Sequence, residues 1–451
     1  MRETDVRWTG RFLSLVFVGL VMIPVSPVWA GAARPPAIPE IPKQVVRYAH
    51  APFLDHTQAV IGMHKGWFDD VGIDIQPKPS ALTIPSEQRP AALAAGTVDM
   101  VSASVAAMLA VLKQQPNIRF FAAGDVFQGY AILAQPDGGY KTYQDFLKAG
   151  DKPDDAMVKA IRQMRGKRWA AQGLAQTQQF VDLVLEKAGM TRNDLTIIPV
   201  DDPKTVNLML TKQADFQTAG APARMELQGK GMVPILTILD MAQNARPSAD
   251  SKELRAVYMD GWVTTTEFWE KHRDAVLRMA SVQFRITKFI HTNQREALEI
   301  HVPFLNSVAG RSLTLEDGKR IYEELDPFLT FEQQHRLYFD KSYAMYYEWE
   351  VGAKIKAYEE RGVYKPGEMT VDKSTLAHTV YFTLYDLKNK TDRLLPEIQA
   401  AISAAKRAGK NPAKAEELQQ RAKFFYDAYD FLDAHRFATA AKEWAEYAMT
   451  Q

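Results

Sequence analysis

A chain of 451 residues is long enough for two or three domains, and its formal net charge of +1 offers neither a basic surface for nucleic acid nor an acidic tail for a basic partner. The count of zero cysteines excludes disulfides, thiolate metal sites, cysteine nucleophiles and a lipidated N-terminal cysteine. Hydrophobic residues at 46% and charged residues at 24% are the proportions of an ordinary soluble globular protein.

The N-terminus has the pattern of an export signal. Arg2, Arg7 and Arg11 precede an apolar run over 12–23, and small residues follow, with a cleavage position after Ala30 and Val28 at the −3 site. That run is too short to span a bilayer comfortably as an anchor. The mature chain is therefore expected to be periplasmic, with no stable membrane insertion after signal cleavage. Residues 31–43 form a Pro-rich, extended lead-in.

From residue 44 short β-rich runs alternate with helical ones, the pattern of an α/β fold with mostly parallel strands. Strands are predicted at 44–50, 72–79, 118–124 and 130–136, with a helix over 59–68. A second series runs through strands at 167–173, 195–200 and 232–239, with an amphipathic helix over 176–190. A further strand at 255–263 returns to the first lobe. Two distant stretches share one grammar. Residues 89–109 and 202–227 each run from a proline through a helix to Asp99 or Asp215, then a brief strand and a loop of tiny residues opening another helix. Such strand-to-helix turns leave backbone N–H groups aimed outward, suited to a small polar or anionic ligand. Two of them predict two lobes facing a shared cleft.

From Thr264 to about Tyr364 the chain reads as helical and rich in aromatics, which are expected to pack against the sheet of the first lobe. Residues 391–451 keep apolar stripes broken at Gly409, Asn411 and Pro412, the pattern of an appended helical hairpin.

Several segments in order carry a family resemblance. They are Lys65-Gly66-Trp67-Phe68, Gly72-Ile73-Asp74-Ile75, residues 91–100, residues 164–200 and residues 210–231. Together they resemble the substrate-binding proteins of ABC importers of the nitrate/taurine/aliphatic-sulfonate type and their thiamin-pyrimidine-precursor relatives. The resemblance implies a two-lobed periplasmic-binding-protein-like fold of type II, each lobe a mixed, mostly parallel sheet flanked by helices. Lobe one would comprise 44–130 and 255–390, lobe two 131–254, and the C-terminal helical extension 391–451. The implied partners are a small-molecule ligand and an ABC permease in the inner membrane.

By this carry-over and by position at strand ends, the cleft is expected to draw on Phe53, Asp55, His56 and Thr57 from the first loop. Ser102 and Ser104 follow from the second, with Gln128 and Tyr130 at the first crossing between lobes. Gln172, Gln176 and Thr177 come from the second lobe, Gly220 from its last loop, and Trp262 from the return crossing. Alternatives are helix capping for Thr57, close helix–sheet approach for the serines, and a core or hinge place for Trp262. No arginine or lysine falls inside these loops, so an anion would be held by helix N-termini, while the glutamines suit a neutral or zwitterionic ligand equally well. The spacing of His50, His56 and His64 crosses strand, loop and helix, so no metal or cofactor is expected. No catalytic constellation is visible, which predicts a binding protein rather than an enzyme. A sensor or scaffold whose C-terminal helices dock a partner is the alternative; a thiamin-precursor-type enzyme, which relies on cysteines, fits less well.

Overall fold

The computed structural model describes residues 34–242 and 245–451. The predicted signal segment lies outside the described residues.

Two sheets organise the chain. The first has six strands: β1 (Gln44–His50), β2 (Ile73–Gln76), β3 (Leu82–Thr83), β4 (Met100–Ser104), β5 (Ile118–Phe127) and, much later, β11 (Tyr258–Thr265). The second has five: β6 (Ala131–Ala134), β7 (Arg168–Gln172), β8 (Thr196–Val200), β9 (Phe216–Thr218) and β10 (Val233–Thr237). In the first sheet β1 runs parallel to β2, β3 and β4, whereas β11 runs antiparallel between β4 and β5. In the second, β7 is parallel to β8 and β9, and β6 is antiparallel to β9 and β10. The chain leaves the first sheet between Phe127 and Ala131 and returns to it between Thr237 and Tyr258. Both sheets are mixed and flanked by helices, as expected.

The strands explain their own burial. In β11, Met259 and Val263 face one apolar cluster, while Tyr258 and Trp262 face the other, which follows from side chains alternating across a pleated strand. Gly261 is required between them: a Cβ there would lie 2.0 Å from the Ala122 carbonyl oxygen, where the register of β11 on β5 shifts. The aromatic-rich helical region does pack on the first sheet. Tyr338, Tyr346, Tyr358 and Tyr364 share a cluster with Val101, Ile118 and Phe120.

The C-terminal region differs from the predicted hairpin. The change of composition at residue 391 is not a break in the backbone. One helix, Ala377–Arg407, runs through Pro396, and its buried stripe continues from Val380, Tyr381 and Leu384 to Ile398 and Ile402. Two more helices, Ala413–Asp427 and Phe431–Thr450, complete a trio around Leu418, Phe425 and Phe437. The last helix is fastened to lobe one by a buried two-point ion pair: Arg278 Nε donates to Asp433 Oδ2 at 2.8 Å and Nη2 to Oδ1 at 3.1 Å. Phe431 adds an aromatic contact, its ring centroid 5.2 Å from that of Phe331.

The pair Arg278–Asp433 generates a prediction. Asp433→Ala strands a buried guanidinium and should cost about 3–5 kcal/mol, whereas the double change Arg278→Met with Asp433→Leu should recover most of it. Urea denaturation of the purified variants measures both; equal losses would show that the charge pairing is not what matters.

Candidate functional site

The loops at the carboxyl ends of the parallel strands meet between the sheets, the place where ligands bind in open α/β folds. A cavity of about 550 Å³ lies there. Its lobe-one wall is Pro52, Phe53, Pro85, Ser86, Val308, Ala309 and Arg311, and its lobe-two wall is Gln172-Gly173-Leu174 after β7 and residues 199–203 around the end of β8. A volume of this size suits a small organic molecule. Phe53, Gln172 and Leu174 also line a much smaller space of about 20 Å³, which reaches inward to Asp55, His56, Phe127, Tyr130, Gln176 and Gly220.

Of the thirteen residues chosen from sequence, Phe53 and Gln172 touch both spaces, and Asp55, His56, Tyr130, Gln176 and Gly220 touch the inner one. Thr177 stands just behind, its hydroxyl 2.8 Å from that of Tyr130 and donating to Gln172 Oε1 at 3.2 Å. Ser104 caps the helix Val105–Val111, accepting from Ala107 N at 3.0 Å, and its hydroxyl donates to Gln176 Oε1 at 2.6 Å. Ser102 accepts from Arg89 Nη1 at 3.0 Å.

Six of the thirteen line neither space: Thr177, Ser104 and Ser102 just described, and Thr57, Gln128 and Trp262. Thr57 is not a cap: Gln58 holds that position, and the Thr57 hydroxyl donates to Phe53 O at 2.8 Å and meets His301 Nε2 at 2.7 Å. The backbone N–H of Gln128 donates to Leu325 O at 2.7 Å. Trp262 is wholly buried beside Tyr48, Phe68 and Phe121 in the core of lobe one. The twin loops lie at the junction of the lobes, but each faces another partner: Ser104 meets Gln176, whereas a Cβ on Gly220 would stand 3.4 Å from Phe53. Two lobe-two helices open there without a side-chain cap, at Leu174 and at Gly220, although the Gly220 N–H already donates to Asp202 Oδ1 at 3.2 Å.

Asp55 apart, sequence spacing missed the charged residues around the site. Asp125, Asp260 and Asp326 are buried around Asp55, on strands and turns far apart in the chain. Arg89, buried, donates to Ser102 and Ser86. Arg311 donates to Asp202 Oδ2 at 3.2 Å and to Glu226 Oε2 at 2.8 Å. The antiparallel pairing of β11 with β5 sets Asp260 opposite Asp125, and the bridge of Asp125 to Phe328 brings Asp326 alongside; no local pattern encodes either.

Burial sets the electrostatics. Loss of water raises the Asp55 carboxyl to about 7, with Arg89 pulling the other way. Burial and then the neighbouring aspartates push Asp125, Asp260 and Asp326 well above the usual carboxylate range. Burial also holds His56 well below the ordinary imidazole value, with Arg89 and His50 adding to the effect, so its ring is neutral. Burial raises Asp202 to about 6 against the opposing field of Arg311.

Residues 151–297 match the family model described as NMT1/THI5 like. Among solved structures, the chain is similar to a periplasmic sulfonate-binding protein from Methylobacillus flagellatus at 12% identity and TM-score 0.53, covering 77% of this chain and 95% of that one. It is similar to the nitrate-binding protein of Synechocystis at 11% identity and TM-score 0.51, covering 74% and 86% respectively. The chain has the periplasmic-binding-protein fold. A third likeness, to the aliphatic sulphonate binding protein of Escherichia coli, has 10% identity and TM-score 0.50 over 73% of this chain and 91% of that one. The resemblance read from the motifs is thus the one these comparisons return. No curated protein sequence matches the chain.

In this periplasmic-binding-protein fold the Ser104–Gln176 contact spans the lobes, which makes it testable. Ser104→Ala removes a helix cap and leaves Gln176 Oε1 unmet, so it should cost about 1–3 kcal/mol. Adding Gln176→Ala should cost less than the sum of the single losses, as a double-mutant cycle on chemical denaturation would read. Strict additivity would mean that the two side chains do not interact.

Proposed function

We propose that the chain is an exported solute receptor, which closes its two lobes on a small organic molecule and presents it to an ABC-type permease in the inner membrane. The N-terminal signal pattern supports export, and no helix of the described residues is long and apolar enough to cross a membrane. Hinge closure at the two crossings would be driven by a ligand that prefers the closed state.

The observation that carries the ligand class is the charge of the cleft. Arg311, a cation on the wall of the larger cavity, is already held by Asp202 and Glu226. Asp201 and Asp202 line that cavity, and Asp55 lines the inner space. An anion entering here would meet carboxylates, and its desolvation would go uncompensated. Phe53, Pro52, Leu174 and Pro199 instead offer flat apolar surface, and the amide of Gln172 offers hydrogen bonds. An uncharged or cationic heterocycle fits this lining better than a sulfonate- or nitrate-like anion. The named neighbours are binding proteins by their own descriptions, which supports a receptor rather than an enzyme. The fastening of the last helix through Arg278–Asp433 supports a packing role for the C-terminal helices over the docking of another protein.

A thermal-shift panel tests this reading. Aminopyrimidines and related heterocycles should raise the melting temperature with concentration, by about 2.7 kcal/mol of stabilisation at one hundred times Kd, while taurine, methanesulfonate and nitrate should not. Phe53→Ala and Gln172→Ala should each weaken a hit at least about tenfold, the loss of roughly 1.4 kcal/mol. A hit among the sulfonates alone, undiminished in both variants, overturns the ligand class.

A further inference from the structure

The inner end of the cleft holds a group of side chains that solute binding by the outer cavity does not use. Asp55, His56 and Asp260 are all buried, and one ligand atom from each lies within 4.8 Å of the others. His56 Nε2 stands 3.7 Å from Asp55 Oδ2 and 3.7 Å from Asp260 Oδ1. These separations are too long for hydrogen bonds. Among the described residues, both oxygens of Asp260 lack a hydrogen-bond partner although the residue is fully buried. Asp125, opposite Asp260 in the β11–β5 pairing, likewise has two carboxylate oxygens without a hydrogen-bond partner among the described residues. Orphaned buried carboxylates are costly, and they call for something that satisfies them.

We propose that Asp55, His56 and Asp260 bind a divalent transition-metal cation of the zinc class at the back of the inter-lobe cleft, with Asp125 and Asp326 as outer carboxylates.

Three features support this assignment. First, one imidazole nitrogen and two carboxylate oxygens are the donor types that zinc takes, at about 2.0–2.2 Å, and the donors of a tetrahedral site built with those bonds are about 3.4 Å apart. The two 3.7 Å separations need only a few tenths of an ångström of contraction. Second, the protein leaves the donors short of bonds: His56 Nδ1 and both carboxylate oxygens of Asp260 and of Asp125 have no hydrogen-bond partner among the described residues, although all three residues are buried. Third, the site keeps an open side. The space of about 20 Å³ touching Asp55 and His56 has room for one water-sized ligand, and it is continuous in its lining with the outer cavity through Phe53 and Gln172. Three protein donors with one free position is how zinc accepts an exogenous ligand. A heterocycle nitrogen or an amine in the cleft would reach the metal there. This last use rests on the receptor reading above; the binding of the metal does not.

The experiment strips the purified protein with a chelator and titrates it with zinc by calorimetry and with cobalt by visible absorption. One equivalent should bind, and cobalt should give the intense bands of a four-coordinate nitrogen–oxygen site. Asp260→Asn and His56→Ala should each weaken zinc by more than about 100-fold, and Asp125→Asn by about 10–100-fold, the range seen for outer partners. His64→Ala, on an exposed residue nearby in sequence, should change nothing. Circular dichroism and melting curves identify any variant that fails to fold. For such a case, anomalous scattering at the zinc edge from crystals of the unaltered protein locates the ion directly, and a peak among Asp55, His56 and Asp260 is expected. Absence of stoichiometric binding, a peak elsewhere, or unchanged affinity in folded Asp260→Asn overturns the proposal. Repeating the solute panel with and without zinc separates the two readings. Zinc binding with no solute hit leaves the metal site standing and removes the heterocycle, and a solute hit independent of zinc leaves the receptor reading standing and removes the metal's part in holding the solute.

Discussion

The return of the chain as β11 is the constraint on which the rest depends. Inserted antiparallel between β4 and β5, this strand closes the first sheet after more than a hundred residues spent elsewhere. Tyr258, Asp260 and Trp262 share one of its faces by the two-residue period of a strand. Tyr258 reaches across to lobe two, its hydroxyl donating to Gln176 O at 2.6 Å. Trp262 fills the core of lobe one. Asp260, between them, is held on a face that is otherwise apolar. A carboxylate there cannot be explained by packing, since Asn or Ser would fit the same space with far less desolvation. The geometry of one strand therefore fixes an inter-lobe contact, a core anchor and the acidic floor of the cleft together.

Much of the fold was legible because its signals are local. The alternation of β-rich and helical runs, the glycine breaks at Gly66 and Gly72, where φ is +72° and +73°, and the small-residue loops all follow from short-range chemistry. The first-loop residues Phe53, Asp55 and His56 were legible for the same reason, as they follow the end of β1. What escaped the sequence was long-range. Asp260 lies 205 positions from Asp55, and Arg311, at the end of a helix in the helical region, enters the cleft only because the helix Gln294–Ala309 packs beside the first loop. The expectation that no cation serves the site came from reading the loops alone. Thr57 and Trp262 show the converse: residue type and position at a strand end suggest ligand contact, but buried partners claim both.

The C-terminal helices illustrate how polar pairs can specify an arrangement while adding little net stability. Arg278–Asp433 is buried on both sides, with side-chain exposures of 1% and 0%. Taking both charges out of water costs several kcal/mol before their attraction repays it. The apolar trio around Leu418, Phe425 and Phe437 could slide along lobe one with small loss, because aliphatic contacts are not directional. A two-point guanidinium–carboxylate bond cannot slide, so it sets the register of the last helix on the helix Arg273–Thr292. Asp430 and Asp433, both buried near that junction, make an alternative register costly, since an unpaired carboxylate would remain.

The cleft itself runs from an outer cavity lined by Pro52, Phe53 and Leu174 beside Asp201 and Asp202 to an inner space that reaches Asp55, and this arrangement has a mechanical consequence. In the outer cavity, burying Pro52, Phe53 and Leu174 against a flat solute favours closure in proportion to area removed from water. At the floor, closure would bring Gln176 of lobe two over the buried Asp55. Without a cation or a donor ligand there, each step of closure strips water from Asp55 and adds an electrostatic cost that apolar contact must offset. With positive charge in place, the same movement lowers the local dielectric around an attractive pair and strengthens it. Closure thus becomes conditional on what occupies the floor. On the receptor reading, that condition would make the acid cluster a selector of ligand charge.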